Sequence, residues 1–298
     1  MNRTVSIIGA LCAAIILNIG FVGNAHADLK IGVLAKRGAP EAMKKWGATG
    51  AYLSAKMGEQ VAIIPLKFTD IEPAVVNKQI DFMLANSAFY VEMEKKHKVR
   101  AIATMINSNK GTALKEFGGV IFVRADSPIQ TLADIKGKKF MCVQRSSFGG
   151  AHMAQHLLLE NGIDVTKDTA AYIEGGKHDN VVLAVKNGSV DVGTVRSDTL
   201  ERMQDEGKIK MSDFRVLNQV KDSFPFAHST RLYPEWPMAA LASTDKGKAD
   251  KLAAALTAMG KDDPAAQASK VVGWSAPADY SPVTKCLRAI KYGVFAGE

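Results

Sequence analysis

"KKFMCVQRSSFGGAHMAQHLLLEN", residues 138–161, begins as an apolar strand and ends as an amphipathic helix. Between the two stand two hydroxyls, Ser146 and Ser147, and two glycines, Gly149 and Gly150. A strand feeding directly into a helix is the repeating unit of an α/β fold. The unit recurs in both directions along the chain. Downstream, "TAAYIEG" (169–175) reads as a strand and "HDNVVLAVKNG" (178–188) as a helix. "VDVGTV" (190–195), "SDTLERMQDEG" (197–207) and "DFRVLNQV" (213–220) continue the alternation. Upstream, "LKIGVLA" (29–35) is a strand, and "PEAMKKWGATGAYLSAKMG" (40–58) is a helix opened by Pro40 and ended by Gly58. "QVAIIPLKF" (60–68), "DFMLANS" (81–87), "RAIATMI" (100–106) and "GGVIFVRA" (118–125) are further strands. A last segment holds the strand "MAALAS" (238–243) and helices over 246–259 and 281–291.

Apolar strands alternating with amphipathic helices imply parallel-type sheets covered on both faces. Two such rounds predict two α/β lobes of similar build. Lobe one takes 28–124 and 220–298, and lobe two takes 125–219. The chain then crosses between lobes near 124–130 and again near 214–222. Two crossovers make a hinge, and the cleft between hinged lobes lies at the strand C-termini, where ligands collect.

Residues 1–27 read as a secretory signal: Arg3, the apolar run "IIGALCAAIIL" (7–17), and small residues in "AHA" (25–27) before a cleavage point at Ala27/Asp28. The expected product is an exported periplasmic protein with no stable membrane insertion, a monomer of 271 residues (298 − 27). Its net charge falls from +8 to +7, because Arg3 is the leader's one charged side chain. No lysine or arginine block exceeds two or three residues, which argues against nucleic acid and suits steering of a small anion. Cys142 and Cys286 could form a bridge in an oxidising compartment or remain two buried thiols.

Five loops at the predicted cleft carry donors. "QRSSFGGAH" sets Ser146, Ser147, Phe148 and Gly149 at a helix N-terminus, where amides lack partners and the dipole is positive. "EGGKHDN" offers His178, whose protonation a bound anion would favour. "TVRSDT" offers Arg196, which could clamp an oxyanion bidentately, and Asp198, a natural helix cap. From lobe one, "LAKRGAP" brings Lys36 and Arg37, and "LANSAFYVEM" brings Asn86, Ser87 and Tyr90.

Catalytic motifs are weak by comparison. No G-x-S-x-G elbow accompanies the serines, so Ser146 or Ser147 with His178 and Asp198 matches a hydrolase triad in composition only. His152, His156 and Glu160 recur every four residues, but Met153 stands where a zinc-helix motif needs glutamate, and a solvated helix face is the expectation. There is no dinucleotide G-x-G-x-x-G and no Cys/His zinc spacing, so neither cofactor nor metal is expected.

"FGGVIFVRADSPIQTLADIKGKKF", "SSFGG", and "GGKHD" with "VVLAVKNGSVDVGTV" resemble the PhnD-like periplasmic solute-binding proteins over nearly the whole mature chain. The resemblance implies an α/β fold of the type II periplasmic-binding-protein class, two lobes joined by a two-stranded hinge. It implies an anion contact at Ser146 and Ser147, a histidine contact at His178, and an aromatic contact at Tyr90. "TVRSDTLERM", "STRLYPEWPMAAL" and "GWSAPADYSPV" are similar to sensor domains of bacterial histidine kinases in this superfamily, tetrathionate-type sensors among them. They also resemble stand-alone periplasmic partners that report arsenic oxyanions to such kinases. Arg196 sits where the importers read their ligand's amino group, and Ser87 replaces their usual proline. The function these words imply is binding of a small oxyanion (phosphate, arsenate or sulfur-oxyanion type) and reporting to a sensor histidine kinase. The alternative is the binding component of an ABC importer, with a permease as partner.

Overall fold

The computed structural model describes residues 29–297; the predicted signal segment lies outside them. In chain order, lobe one opens with β1 (Leu29–Leu34), β2 (Val61–Leu66), β3 (Phe82–Leu84), β4 (Arg100–Asn109) and β5 (Thr112–Leu114). After β6 (Glu116–Phe117) come the lobe-two strands β7 (Gly119–Arg124), β8 (Lys139–Cys142), β9 (Ala171–Glu174), β10 (Val192–Arg196) and β11 (Phe214–Leu217). The chain returns through β12 (Tyr233–Pro234) to β13 (Pro237–Ala240) and β14 (Val271–Ser275) in lobe one.

The lobe-one sheet has the order β14-β4-β13-β3-β1-β2, with β5 on β4; the lobe-two sheet has the order β11-β7-β10-β8-β9. Both are mixed rather than purely parallel. β1 pairs in parallel with β2 and β3, and β8 with β9 and β10. The returning β13 and the crossing β7 run antiparallel to their neighbours. Strands buried on both faces read as continuous apolar runs, as in "GVIFVR", where Val120 to Val123 are all buried.

The helix Ala39–Met57 illustrates the packing. Its buried residues, Ala42, Trp46, Thr49, Leu53 and Met57, follow helical spacing and form one stripe against the lobe-one sheet. Leu53 is fully buried, and truncating such a leucine to alanine costs about 2–5 kcal/mol. Pro40 lies in the first turn and Gly58, at φ 73°, ends the helix, as the sequence predicts.

The hinge departs from expectation in position. The sequence places the first crossing near 124–130, where the second β/α round begins. Instead, residues 119–124 form a central strand of the lobe-two sheet, between β10 and β11. The chain crosses at Gly118–Gly119, directly after β6. A Cβ on Gly119 would stand 3.2 Å from both the Gly149 carbonyl oxygen and Met153 Cβ, so the crossing strand passes close to the opening turn of the lobe-two helix. The return crossing lies at 230–234 rather than 214–222, and β12 pairs with β6 as a two-stranded ribbon between the lobes. The helix Pro264–Ser269 and strand β14 were not anticipated.

Helix Met153–Glu160 also differs from its reading. His152, at the end of the turn that precedes it, is fully buried, with its ring 4.0 Å from that of Tyr292. His156 Nδ1 lies 3.2 Å from the Tyr233 hydroxyl, so the face expected in solvent packs on the hinge and the C-terminal segment. No group of three His, Cys, Asp or Glu among the described residues could hold a metal. Cys142 and Cys286 are free and fully buried.

Candidate functional site

Facing loops of the two lobes meet around a cavity of about 10 Å³, space for roughly one water molecule. Leu34, Lys36, Phe68, Asn86 and Trp236 wall it from lobe one, Phe117 from the hinge, and Ser147, Gly149, His178 and Arg196 from lobe two.

The lobe-two wall is the strand-to-helix turn on which the fold was read. Ser147 is the N-cap, and its hydroxyl oxygen accepts from the Gly150 amide at 3.2 Å. The turn Phe148–His152 is a π turn, closed by the His152 amide on the Ser147 carbonyl at 3.1 Å. A π turn leaves one more leading amide without an internal acceptor than an α turn. The Ser147 hydroxyl can also donate, and Ser147 and Gly149 line the cavity at this helix end. The glycines have a packing reason as well. A Cβ on Gly149 would come 2.6 Å from Arg196 Cβ, and one on Gly150 2.5 Å from Val143 Cγ2.

His178 starts the helix His178–Lys186 and is buried, its Nδ1 3.4 Å from the Arg196 amide. Burial, reinforced by the charges of Lys36 and Arg196, holds its pKa well below the ordinary histidine value. Without a bound anion the neutral ring is therefore the favoured form. Burial also brings the pKa of Lys36 down, to about 7, against the pull of Asp198. Lys36 Nζ lies 3.8 Å from Asp198 and 5.7 Å from the Trp236 ring centre.

Arg196, expected as a clamp, is committed inside the protein. Its Nη1 and Nη2 donate to the two carboxylate oxygens of Glu235 at 3.2 and 2.5 Å, and its guanidinium lies over the Phe117 ring. Asp198 adopts a left-handed backbone at φ 79°, uncommon outside glycine. Burial opposes its ionisation, but Arg196, Lys36 and Arg202 outweigh it and hold the carboxyl well below the usual range. These charges form a buried network, and no Ser–His–Asp chain of hydrogen bonds runs through them among the described residues.

The other expected residues divide. Asn86 lines the cavity, caps its helix by accepting from Ala88 and Phe89, and donates across the cleft to the Ser146 carbonyl at 3.4 Å. Ser146 itself is half-buried and contributes that carbonyl rather than a cavity wall. Ser87 donates to the Pro234 carbonyl at 2.7 Å and ties its helix to the hinge. Tyr90 is in the lobe-one core, donating to Glu94 and packed edge-on against Tyr280. Arg37 bridges the lobes, with Nε and Nη2 on Asp179 at 2.6 and 2.7 Å and further bonds to Glu206. Glu235, Trp236, Phe68 and Phe117 were missed; Glu235 and Trp236 stood in the sequence only as part of "YPEWP".

Next to the small cavity, sharing Leu34, Lys36, Arg196 and Trp236 as walls, is a chamber of about 390 Å³. Trp46, Lys45 and Met105 from lobe one and Arg202 and Asp198 from lobe two line it.

Two mixed α/β lobes joined by a two-stranded ribbon and closed over a cationic cleft define a hinged solute-binding protein. The chain belongs to the family of periplasmic substrate-binding proteins of phosphonate ABC transporters, whose profile matches residues 31–282. It is 30% identical over 263 residues to the tetrathionate sensor histidine kinase TtrS of Salmonella typhimurium, covering 88% of this chain and 43% of that protein. Among solved structures, PhnD1 from Prochlorococcus marinus in complex with methylphosphonate aligns with a TM-score of 0.74 at 16% identity, over 87% of this chain and 97% of that one. A binding-protein component of an ABC phosphonate transporter from Pseudomonas aeruginosa aligns with a TM-score of 0.75 at 16% identity, over 88% and 87%. These likenesses carry the fold. No described helix is long and apolar enough to cross a membrane.

Proposed function

We propose that this chain is a periplasmic receptor that binds a small oxyanion between its lobes and reports the closed form to a sensor histidine kinase. The observation that carries the reading is the convergence on one cavity of Ser147, Gly149 and His178 from lobe two with Lys36 and Asn86 from lobe one. Donors from both sides reward closure around an anion; with the lobes as they stand the cavity has room for about one water, so a bound oxyanion holds them slightly further apart. A micromolar receptor needs about −8 kcal/mol. Four to six hydrogen bonds to a charged group, at roughly 1.5–3 kcal/mol each, cover that after the cost of closure.

The sensing role rests on the likeness to TtrS, of which this chain spans less than half the length. Delivery to an ABC permease is the second reading, favoured by the family's description as transporter binding proteins. Adjacent kinase and regulator genes support the first, adjacent permease and ATPase genes the second. A melting-temperature screen against phosphate, arsenate, sulfate, thiosulfate, tetrathionate and methylphosphonate tests binding itself. An anion present at 100 times its Kd adds about 2.7 kcal/mol, which for a protein of this size is a rise of roughly 5–10 °C. A flat panel rejects the proposal.

A further inference from the structure

We infer that Phe148 is a positioning residue, whose ring is the contact through which the turn carrying Ser147 sets the twist of the hinge ribbon. The inference rests on the oxyanion-receptor reading above and assigns a residue that couples binding at that site to closure of the lobes.

The sequence places Phe148 among the ligand contacts, but its side chain goes elsewhere. Ser147 and Gly149, on either side of it, line the small cavity. Phe148 lines neither that cavity nor the chamber and is fully buried. It is the first residue of the π turn, and its ring enters the packing between that turn and the hinge.

Both strands of the ribbon meet this ring. Phe117 of β6 and Tyr233 of β12 are paired across the ribbon. The Phe148 ring stands edge-on to each, with its centre 4.9 Å from that of Tyr233 and 6.1 Å from that of Phe117. Aromatic pairs attract at such separations and angles. All three side chains are buried. A ring wedged between paired residues of two strands resists their relative twist, and twist of the ribbon is the motion that swings one lobe against the other.

Little slack remains around the wedge. A Cβ on Gly149 would lie 3.0 Å from Phe117 Cε2, and one on Gly119, where the chain crosses, 3.2 Å from the Gly149 carbonyl oxygen. Arg196, a wall of the cavity, rests its guanidinium 4.2 Å from the centre of the same Phe117 ring. Close-packed contacts carry a displacement rather than absorb it. An anion that fixes the turn from the cavity therefore fixes Phe148, and with it the ribbon.

Calorimetry and solution scattering on the same variants test this, with the six anions of the melting-temperature screen as probes. The wild type should bind at least one of them and contract when it is saturating. Phe148→Leu should still bind that anion, within about tenfold of the wild-type Kd, yet contract by less than half as much. Tyr233→Leu should do the same. Tyr233→Phe keeps the ring and drops only the hydroxyl, which lies 3.2 Å from His156 Nδ1, and should contract as the wild type does. Ser147→Gly gives the opposite split, a weaker Kd with full contraction at saturation. Full contraction of Phe148→Leu overturns the inference and leaves the receptor standing. Should the leucine variants not fold, hydrogen exchange of the wild type decides. Peptides covering 113–119 and 231–236 should exchange about threefold or more slowly with the anion bound, and an unchanged rate there overturns the inference. Binding of none of the six anions to the wild type overturns both readings.

Discussion

Glu235, which is fully buried, holds both terminal nitrogens of Arg196, at 2.5 and 3.2 Å, and Asp198 stands 3.4 Å from the same guanidinium. The cation is therefore part of the wall between the cradle and the chamber. Removing one partner of such a pair strands a buried charge and costs about 3–5 kcal/mol. Glu235→Ala should lower the melting temperature by roughly 6–20 °C in the absence of any added anion, by calorimetric melting. An unchanged melting temperature would return Arg196 to the role of a free anion clamp.

Arg37 is the strap between the lobes. Its pKa is raised by hydrogen bonds to Glu206 and Asp179, and Glu206 is lowered to about 2 chiefly by the same contact. Part-exposed pairs contribute about 0.2–1 kcal/mol each. Arg37→Ala should therefore shift the population toward open lobes, seen as a larger radius of gyration in solution scattering. Affinity falls in proportion to the lost closed fraction, by about two- to tenfold. A scattering profile identical to wild type contradicts the strap.

The pH response follows Lys36. Its folded pKa of about 7 lies below the unfolded lysine value of 10.5, so the unfolded chain binds more protons between these values and stability rises with pH across that window. An anion beside Lys36 favours the charged form. Binding near pH 8 should take up a proton, read as a dependence of calorimetric heat on buffer ionisation, and affinity should weaken as pH rises above about 7. Heats independent of buffer would remove Lys36 from the site.

Both thiols are withdrawn from chemistry. Burial pushes Cys142 up to about 11 and Cys286 to about 12, and neither lines the small cavity or the chamber. Ellman's reagent should leave Cys142 and Cys286 unmodified in the native protein and titrate them in the denatured chain. Rapid reaction in the native state would contradict the burial of both thiols.

Much of this was legible in the residues. The β/α alternation, the two lobes and the helix-end cradle follow from local patterns that a single chain displays. The hinge position does not. Gly118–Gly119 and Asp126–Ser127–Pro128 are both turn signals, and only the pairing of β7 with β10 and β11 chooses between them. Ser147 and His178 stand at helix starts, where periodicity finds them, and both line the cavity. Tyr90 and Ser87 stand at such a start too, but are turned into the core and the hinge. Glu235 and Trp236 come from the return crossing, far away in sequence, where no periodic pattern marks a site.

The central claim is that an anion rests on the Ser147 turn. Ser147→Gly tests it most directly, since glycine is a tolerable cap, costing only a few tenths of a kcal/mol, and the one polar group lost with the side chain is the hydroxyl. Calorimetric titration of wild type and variant with the anion that most raises the melting temperature gives the answer. A hydroxyl bonded to a charged oxygen contributes about 1.5–3 kcal/mol, so Kd should rise at least tenfold. Equal Kd values for the two proteins would put the anion elsewhere.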